Sequence, residues 1–237
     1  MATSSIFHNV VVKNDKECER LINAFELSEK KKEEKSKHPQ VFFISDLHLG
    51  HKNCLAFDNR PYLNIEEQDK DIIKKWNSRV SANDIVYILG DISWYSISKT
   101  IEILKQLNGC KRLIVGNHDK KLIKSREFRS MFESINDYQE IVVDNQNLVL
   151  SHYPIPCFNK HFYGTYHFYG HVHNSFEWNM MRYHRYLMQS LYTKPCNMFN
   201  VGCMIPYMDY TPRTFNEIIY QTICDNVKDS VYGVKNG

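Results

Sequence analysis

VFFISDLHLGHKN, residues 41–53, is the stretch on which the fold turns. Its first four residues are β-branched or aromatic, with nothing polar until Ser45, as in a strand buried on both faces. The chain then passes at once to Asp46 and His48, side chains that a strand end does not need for packing. The same design returns four times: VYILGD at 86–91, LIVGNHD at 113–119, LVLSH at 148–152 and HFYGHVH at 167–173. Each is an apolar strand that ends in carboxylate, amide or imidazole groups.

Working outward, the segments between these strands read as helices and turns. Residues 65–80 have helical spacing, with Ile65, Ile72, Ile73 and Trp76 near one face, opened by Asn64 and Glu67 as a capping pair. Residues 98–107 form a second amphipathic helix stopped at Gly109. Residues 120–135 are expected to be mostly helical. EIVVD and LVLS should form a hairpin about NQN at 145–147, followed by strands at 166–169 and 198–201 and a last helix at 214–224. Alternating β and α, then paired strands, predicts an α/β fold of sheets packed between helices. In such sheets ligands collect beyond the carboxyl ends of the strands. Glycine before Asp91, Asn117 and His171 lets the backbone turn sharply there.

The chain has 237 residues, 43% hydrophobic and 24% charged, with a formal net charge of +3. That suits one sizeable domain plus an extension, and the charge is too small to argue for nucleic acid by itself. Seven cysteines, scattered without a CxxC pair, indicate neither a disulfide framework nor a cysteine zinc site. No apolar run approaches a membrane span, and the first residues lack a signal-peptide pattern, so a cytoplasmic protein without membrane association is expected. Residues 1–39 read as an N-terminal extension. It has a short strand at 6–12, a helix at 17–27 with Cys18, Leu21, Ile22 and Phe25 on one face, and the charged linker SEKKKEEKSKHP closed by Pro39. Residues 40–237 form the catalytic domain.

The pooled donors are the carboxylates of Asp46 and Asp91, the amide of Asn117, and the imidazoles of His48, His152, His171 and His173. Such a nitrogen and oxygen set suits manganese, zinc, iron or nickel better than calcium. A lone Asp-x-His or Gly-Asp carries little weight. Five clusters in order, each after its own strand, would be costly to desolvate without a metal.

The order Asp-x-His, Gly-Asp, Gly-Asn-His-Asp, His, Gly-His-x-His resembles the calcineurin-like metallophosphoesterase signature, over about residues 40–220. ISDLHLGHKN, NRPY, EEQDKDIIKKWN and ILGD resemble more closely a group of small bacterial and phage phosphoesterases. The resemblance implies a four-layer αββα sandwich, two mixed sheets flanked by helices. It implies that Asp46, His48 and His173 hold one metal, that Asn117, His152 and His171 hold a second, and that Asp91 bridges them. His118 would face the scissile phosphate, with Asp119 orienting it; Asp119 could equally cap the helix from Lys120. His51, Asn53 and Arg60 are the candidates for phosphate contact, against a purely structural role in their loop.

The expected cofactors are two divalent transition-metal ions, manganese first, with zinc, iron or nickel as alternatives. Two cations about 3.5–4 Å apart clamp a phosphate and acidify a water, while His118 serves as general acid. The expected activity is hydrolysis of a nucleotide or other small phosphodiester. The rivals are a nuclease or RNA-processing phosphodiesterase, with nucleic acid as partner, and a silent protein-binding scaffold on the same fold. Residues 174–197 hold Trp178, Arg182, Tyr183, Arg185 and Tyr186. They read either as a base-stacking insertion or as a helix packing Met181, His184, Leu187 and Leu191 on the core.

Overall fold

The computed structural model describes residues 39–220. The strand at 6–12, the helix at 17–27 and the end of the last helix lie outside the described residues. Five strands form one sheet: β1 (Val41–Ile44), β2 (Ile85–Ile88), β3 (Cys110–Ile114), β4 (Ser134–Asn136) and β9 (Arg213–Thr214), in the order β4-β3-β2-β1-β9. β1 to β4 are parallel and β9 is antiparallel to β1. Four strands form the other: β5 (Tyr138–Val143), β6 (Gln146–Ser151), β7 (Tyr166–Tyr169) and β8 (Asn197–Asn200), in that order. Here β5 and β6 make an antiparallel hairpin and the remaining pairs are parallel. These are the two mixed sheets expected.

The sheets face each other across aromatic rings. Phe43 of β1 meets Phe168 of β7 edge-on at 5.0 Å, and both belong to one buried cluster with Phe42, Ile88, Leu150 and Phe199. Helix α1 (Ile65–Arg79) covers the first sheet with Ile72 and Trp76, and the Trp76 indole donates to the Asn108 carbonyl at 3.0 Å. Its Asn64 cap accepts from the Glu67 amide at 2.9 Å, as the sequence predicts. Helix α2 (Ile97–Leu104) is capped by Ser96. Helix α3 (Phe176–Tyr186) lies over the second sheet, with Trp178 and Met181 packed on a smaller cluster about Tyr169 and Met198, joined by Met188 of the π turn Leu187–Leu191 that follows. The Arg185 guanidinium sits 4.6 Å from the Phe199 ring centroid. Of the residues the core-packing alternative names, Met181 packs on the core and Leu191 is exposed, while Tyr183 and Tyr186 are also more than half exposed.

Two local expectations are corrected. Residues 120–135 are not one helix. Ser125 is extended and caps a single turn at Arg126–Arg129, a 3-10 turn at Leu122–Lys124 precedes it, and the segment ends in β4. The hairpin turn is Asp144–Asn145, because Val143 pairs with Gln146. Both turn residues have positive φ, 50° and 61°, the geometry a two-residue hairpin favours.

The sheets are sewn together at their carboxyl ends. Ser45, just past β1, bridges to Gly202, just past β8, and its amide donates to the Val201 carbonyl at 2.8 Å. Loops from both sheets thus open onto one crevice. Among the described residues no helix is long and apolar enough to cross a membrane.

Candidate metal centre

The loops that leave the strands are held in unusual backbone shapes. Asp46, His48, Asp91, His171 and His173 all have positive φ, between 49° and 70°. For residues with a Cβ this left-handed region costs about 1–2 kcal/mol each, so the surroundings must enforce it. They do so by backbone pairing. The amides of Asp46, His48 and Leu49 donate to the carbonyls of Gly90, Asp91 and Ile92, each at 3.0 Å. A Cβ on Gly116 would collide with Asp91 Oδ1, and one on Gly170 with Ser45 Oγ. Glycine at these two positions is what allows the loops to meet.

The crevice gathers two groups of donors. In each of Asp46–His48–His173 and Asp91–His152–His171, the candidate ligand atoms lie within 4.8 Å of one another. Asp91 reaches both, its Oδ2 being 3.8 Å from His48 Nε2 and 3.6 Å from His152 Nε2. Asn117 Oδ1 joins the second group, 2.9 Å from His152 Nε2.

Hydrogen bonds on the far sides of the rings determine what faces inward. His152 Nδ1 lies 2.7 Å from the Leu89 carbonyl, which can only accept, so Nδ1 carries the hydrogen and Nε2 of the neutral ring is bare. That lone pair points at another acceptor, Asn117 Oδ1. His173 Nδ1 lies 2.8 Å from Asp58 Oδ1, which likewise leaves its Nε2 bare, 3.1 Å from His48 Nε2 and 3.7 Å from Asp46 Oδ1. The buried Nδ1 of His48 has no hydrogen-bond partner, so its tautomer is not pinned and its Nε2 is free to be bare as well. A divalent cation satisfies such a set, and the donor chemistry fits one.

The titration behaviour agrees. Burial, then the charge His173 would carry, drives His48 far below the ordinary histidine value, and burial also lowers His171. Burial raises the Asp91 carboxyl to about 7, with the His152 charge and the His118 amide opposing and the Asp46 charge adding to it. Burial would lower His173, but the Asp58 hydrogen bond and the Asp46 charge raise it instead.

Asp58 and Arg60 form a support beneath this group. Arg60 is 4% exposed, with Nε and one terminal nitrogen each 2.8 Å from Asp58 Oδ2. Its remaining hydrogens go to the carbonyls of Asp46 and Leu47 and to Gln68, each at 3.1 Å. The phosphate contact expected of Arg60 is corrected: its guanidinium is spent on the ligand loop and on Asp58. Asp119 is also placed differently from expectation. It is fully buried, and its carboxylate accepts from the amides of Asp91, Ile92 and Gly116 at 2.8–3.0 Å. It braces two ligand loops, neither gripping the His118 ring nor capping a helix with its side chain.

His118 stands at the mouth. Its side chain is 45% exposed and its Nε2 is 3.9 Å from Asp91 Oδ2, while its amide donates to Asp91 Oδ1 at 2.9 Å. Burial lowers its pKa, with the Asp119 charge partly opposing. His51 lies flat against Trp94, ring centroids 4.0 Å apart. Asn53 is exposed at the start of the helical turn Cys54–Phe57 and makes no capping bond. Asp58 and Trp94 are the neighbours that sequence reasoning missed. Trp94, three residues past Asp91, was visible as an aromatic beside a ligand; nothing local marks Asp58.

Residues 40–217 match the family model for the calcineurin-like phosphoesterase superfamily domain. An uncharacterized protein of Methanocaldococcus jannaschii is 46% identical over 83 residues, 34% of this chain and 47% of its own length. The gene 66 protein of Mycobacterium phage L5 is 35% identical over 131 residues, 48% of this chain and 63% of its own length. The chain thus spans between about half and just under two thirds of these curated relatives. A solved protein of unknown function from Aquifex aeolicus shares the fold, with a TM-score of 0.58 at 24% identity over 78% of this chain and 100% of that one. On the extent of the family match, the chain belongs to the calcineurin-like phosphoesterase superfamily.

Proposed function

We propose that this chain is a dinuclear metal-dependent phosphodiesterase acting on a nucleotide or other small phosphodiester. The observation that carries the reading is the pair of donor groups whose lone pairs face one another, with Asp91 reaching both. Asp46, His48 and His173 would hold one divalent ion, and Asn117, His152 and His171 the other, with Asp91 shared between them. Manganese is the first candidate, with zinc, iron and nickel behind it. When bound, the ions supply Lewis acidity toward the phosphate and toward a water.

The chain's own residues do the rest. Asp58 and the Leu89 carbonyl fix the tautomers of His173 and His152. Asp119 holds the Asp91 and Gly116 loops in register. A water gives up a proton to solvent and attacks phosphorus, the bond to the leaving oxygen breaks, and that oxygen takes a proton from His118, which regains one from solvent, yielding a phosphomonoester and an alcohol. The phosphate anion beside His118 favours its charged form, offsetting the burial that lowers it in the free protein.

The test is hydrolysis of a panel of mono- and diesters by metal-stripped protein, with each ion restored in turn. Chelation should abolish turnover and manganese should restore it better than magnesium. His118→Ala should keep both ions yet lose about 10²–10⁴-fold in rate, with a smaller loss for a nitrophenol leaving group. Full activity at nil metal content, or equal losses for good and poor leaving groups, overturns the scheme.

A further inference from the structure

Beside the metal centre stands a set of rings that the reaction as described does not use. Trp94 is 40% exposed and Phe57 is 54% exposed, although both lie at the mouth of a polar site. His51 lies flat on Trp94 and meets Phe57 at a tilt of 57°. Its ring is 4.0 Å from Trp94 at an interplanar angle of 4°, and 5.6 Å from Phe57. The set touches the chemistry at both ends, with Trp94 4.1 Å from His118 and Phe57 5.6 Å from His173. Tyr153, half-exposed beside His171 at 4.5 Å, is a lone ring on the side of the second donor group.

The loops that carry Trp94 and His51 are fixed before any ligand arrives. The Trp94 amide donates to the Leu49 carbonyl at 2.8 Å, the Leu49 amide to Ile92 at 3.0 Å, and the His51 amide to His48 at 3.0 Å. The hydroxyl of Thr100, on α2, donates to Ser93 Oγ at 2.9 Å, and that oxygen accepts from the Tyr95 amide at 3.1 Å. The loops that carry Asp46, His48 and Asp91 therefore carry the rings too. A ligand that stacks here meets rings already ordered, and so loses less entropy.

We infer that Trp94, His51 and Phe57 form the subsite for a nucleobase, so that the substrate is a nucleoside-bearing phosphodiester whose base lies over Phe57 and the part of Trp94 that His51 and His118 leave open, while its phosphate lies between the donor groups and His118. The inference rests on the phosphodiesterase reading above. It moves base recognition from the 174–197 segment, where Trp178 packs on the core, to the loops after β1 and β2. The shape explains why apolar rings are left open beside charge: one end of the ligand is flat and apolar, the other anionic. Stacking tolerates any base, because each offers a π-face, and purines offer the larger one.

The experiment compares adenosine 5′-phosphate ethyl ester with its abasic ribose counterpart, which differ only in the base. Wild type should show a KM about 5- to 150-fold lower for the nucleotide, the range that one stacked base supplies. Trp94→Leu should erase that difference by raising KM for the nucleotide alone, and Trp94→Phe should keep part of it. Adenosine monophosphate should quench tryptophan fluorescence in wild type without turnover, and Trp94→Leu should lose the quench. Should Trp94→Leu not fold, Phe57→Leu should weaken the nucleotide selectively. Equal KM values for both esters in wild type overturn the platform while leaving the phosphodiesterase intact. A Trp94→Leu loss in kcat shared by both esters also overturns it, leaving Trp94 as a support for His118. If neither ester turns over with any ion, the phosphodiesterase reading fails, and the quench by adenosine monophosphate still decides the platform.

Discussion

Asp58 determines which nitrogen of His173 is left to bind. Its carboxylate takes the Nδ1 hydrogen at 2.8 Å and is itself held by Arg60, so the ring can present only Nε2 to the crevice. Such a partner behind a ligating imidazole typically contributes 10- to 100-fold in metal affinity. Asp58→Asn should therefore weaken the ion at Asp46, His48 and His173 by about that factor. It should spare the ion at His152 and His171, a split that calorimetric titration of metal-free protein resolves. Arg60 would lose its counter-charge in the same variant, so a drop in Tm is expected alongside; unchanged affinity with a lowered Tm would reduce Asp58 to a structural role. The candidate metal-binding residues were legible in the sequence because each cluster of them follows a strand directly. Asp58 was not, since its partner lies 115 residues away, and neither was the burial of Arg60, which no local pattern encodes.

At the scale of elements, reading succeeded where apolar spacing and capping agree and failed where one of them was missing. Helix α1 has both an apolar face and the Asn64 cap, and it runs almost as expected. Residues 120–135 carry Phe128, Met131, Phe132 and Ile135 at helical spacing but have no side-chain cap at their start, and Ser125 restarts the chain as a new turn. Helix α3 was the ambiguous case, because its aromatic and basic residues suit either a ligand or a core. The structure seats Trp178 against both hydrophobic clusters, with the Arg182 guanidinium 5.3 Å from its ring centroid. Trp178→Ala should accordingly cost about 2 kcal/mol, below the 3–5 typical of a fully buried tryptophan. Thermal melts should show the loss, while KM for the nucleotide ester stays unchanged. A selective rise in KM would return the base to this helix.

For the whole molecule, one buried histidine outside the two donor groups couples stability to acid. His167 on β7 is wholly buried, with Nδ1 3.2 Å from the Val149 carbonyl and Nε2 accepting from the Ile155 amide at 3.0 Å. Burial lowers its pKa from 6.5 to about 4, the backbone hydrogen bonds partly opposing. A depressed folded-state value means that the unfolded chain binds the proton first as pH falls below 6.5. The neutral ring's stabilising contribution is thus complete above pH 6.5 and lost progressively toward pH 4, roughly 3 kcal/mol in all. Between pH 7 and pH 4.5, His167→Gln should lose less Tm than wild type. Parallel curves would mean that other groups carry the acid sensitivity.

The placement of donors on both sheets has a mechanical consequence. His48 follows β1 and His173 follows β7, 125 residues apart in the chain, and their Nε2 atoms face each other across the crevice. An ion held between them is a removable cross-link, closing a long loop just where Ser45 and Gly202 already join the layers. Like any ligand specific to the folded chain, it stabilises that state by an amount that grows with the logarithm of its concentration above Kd. The pieces needed for turnover would then also be the clasp of the scaffold. The lifetime of the fold against proteases would be set by the supply of metal as much as by the packing of the core.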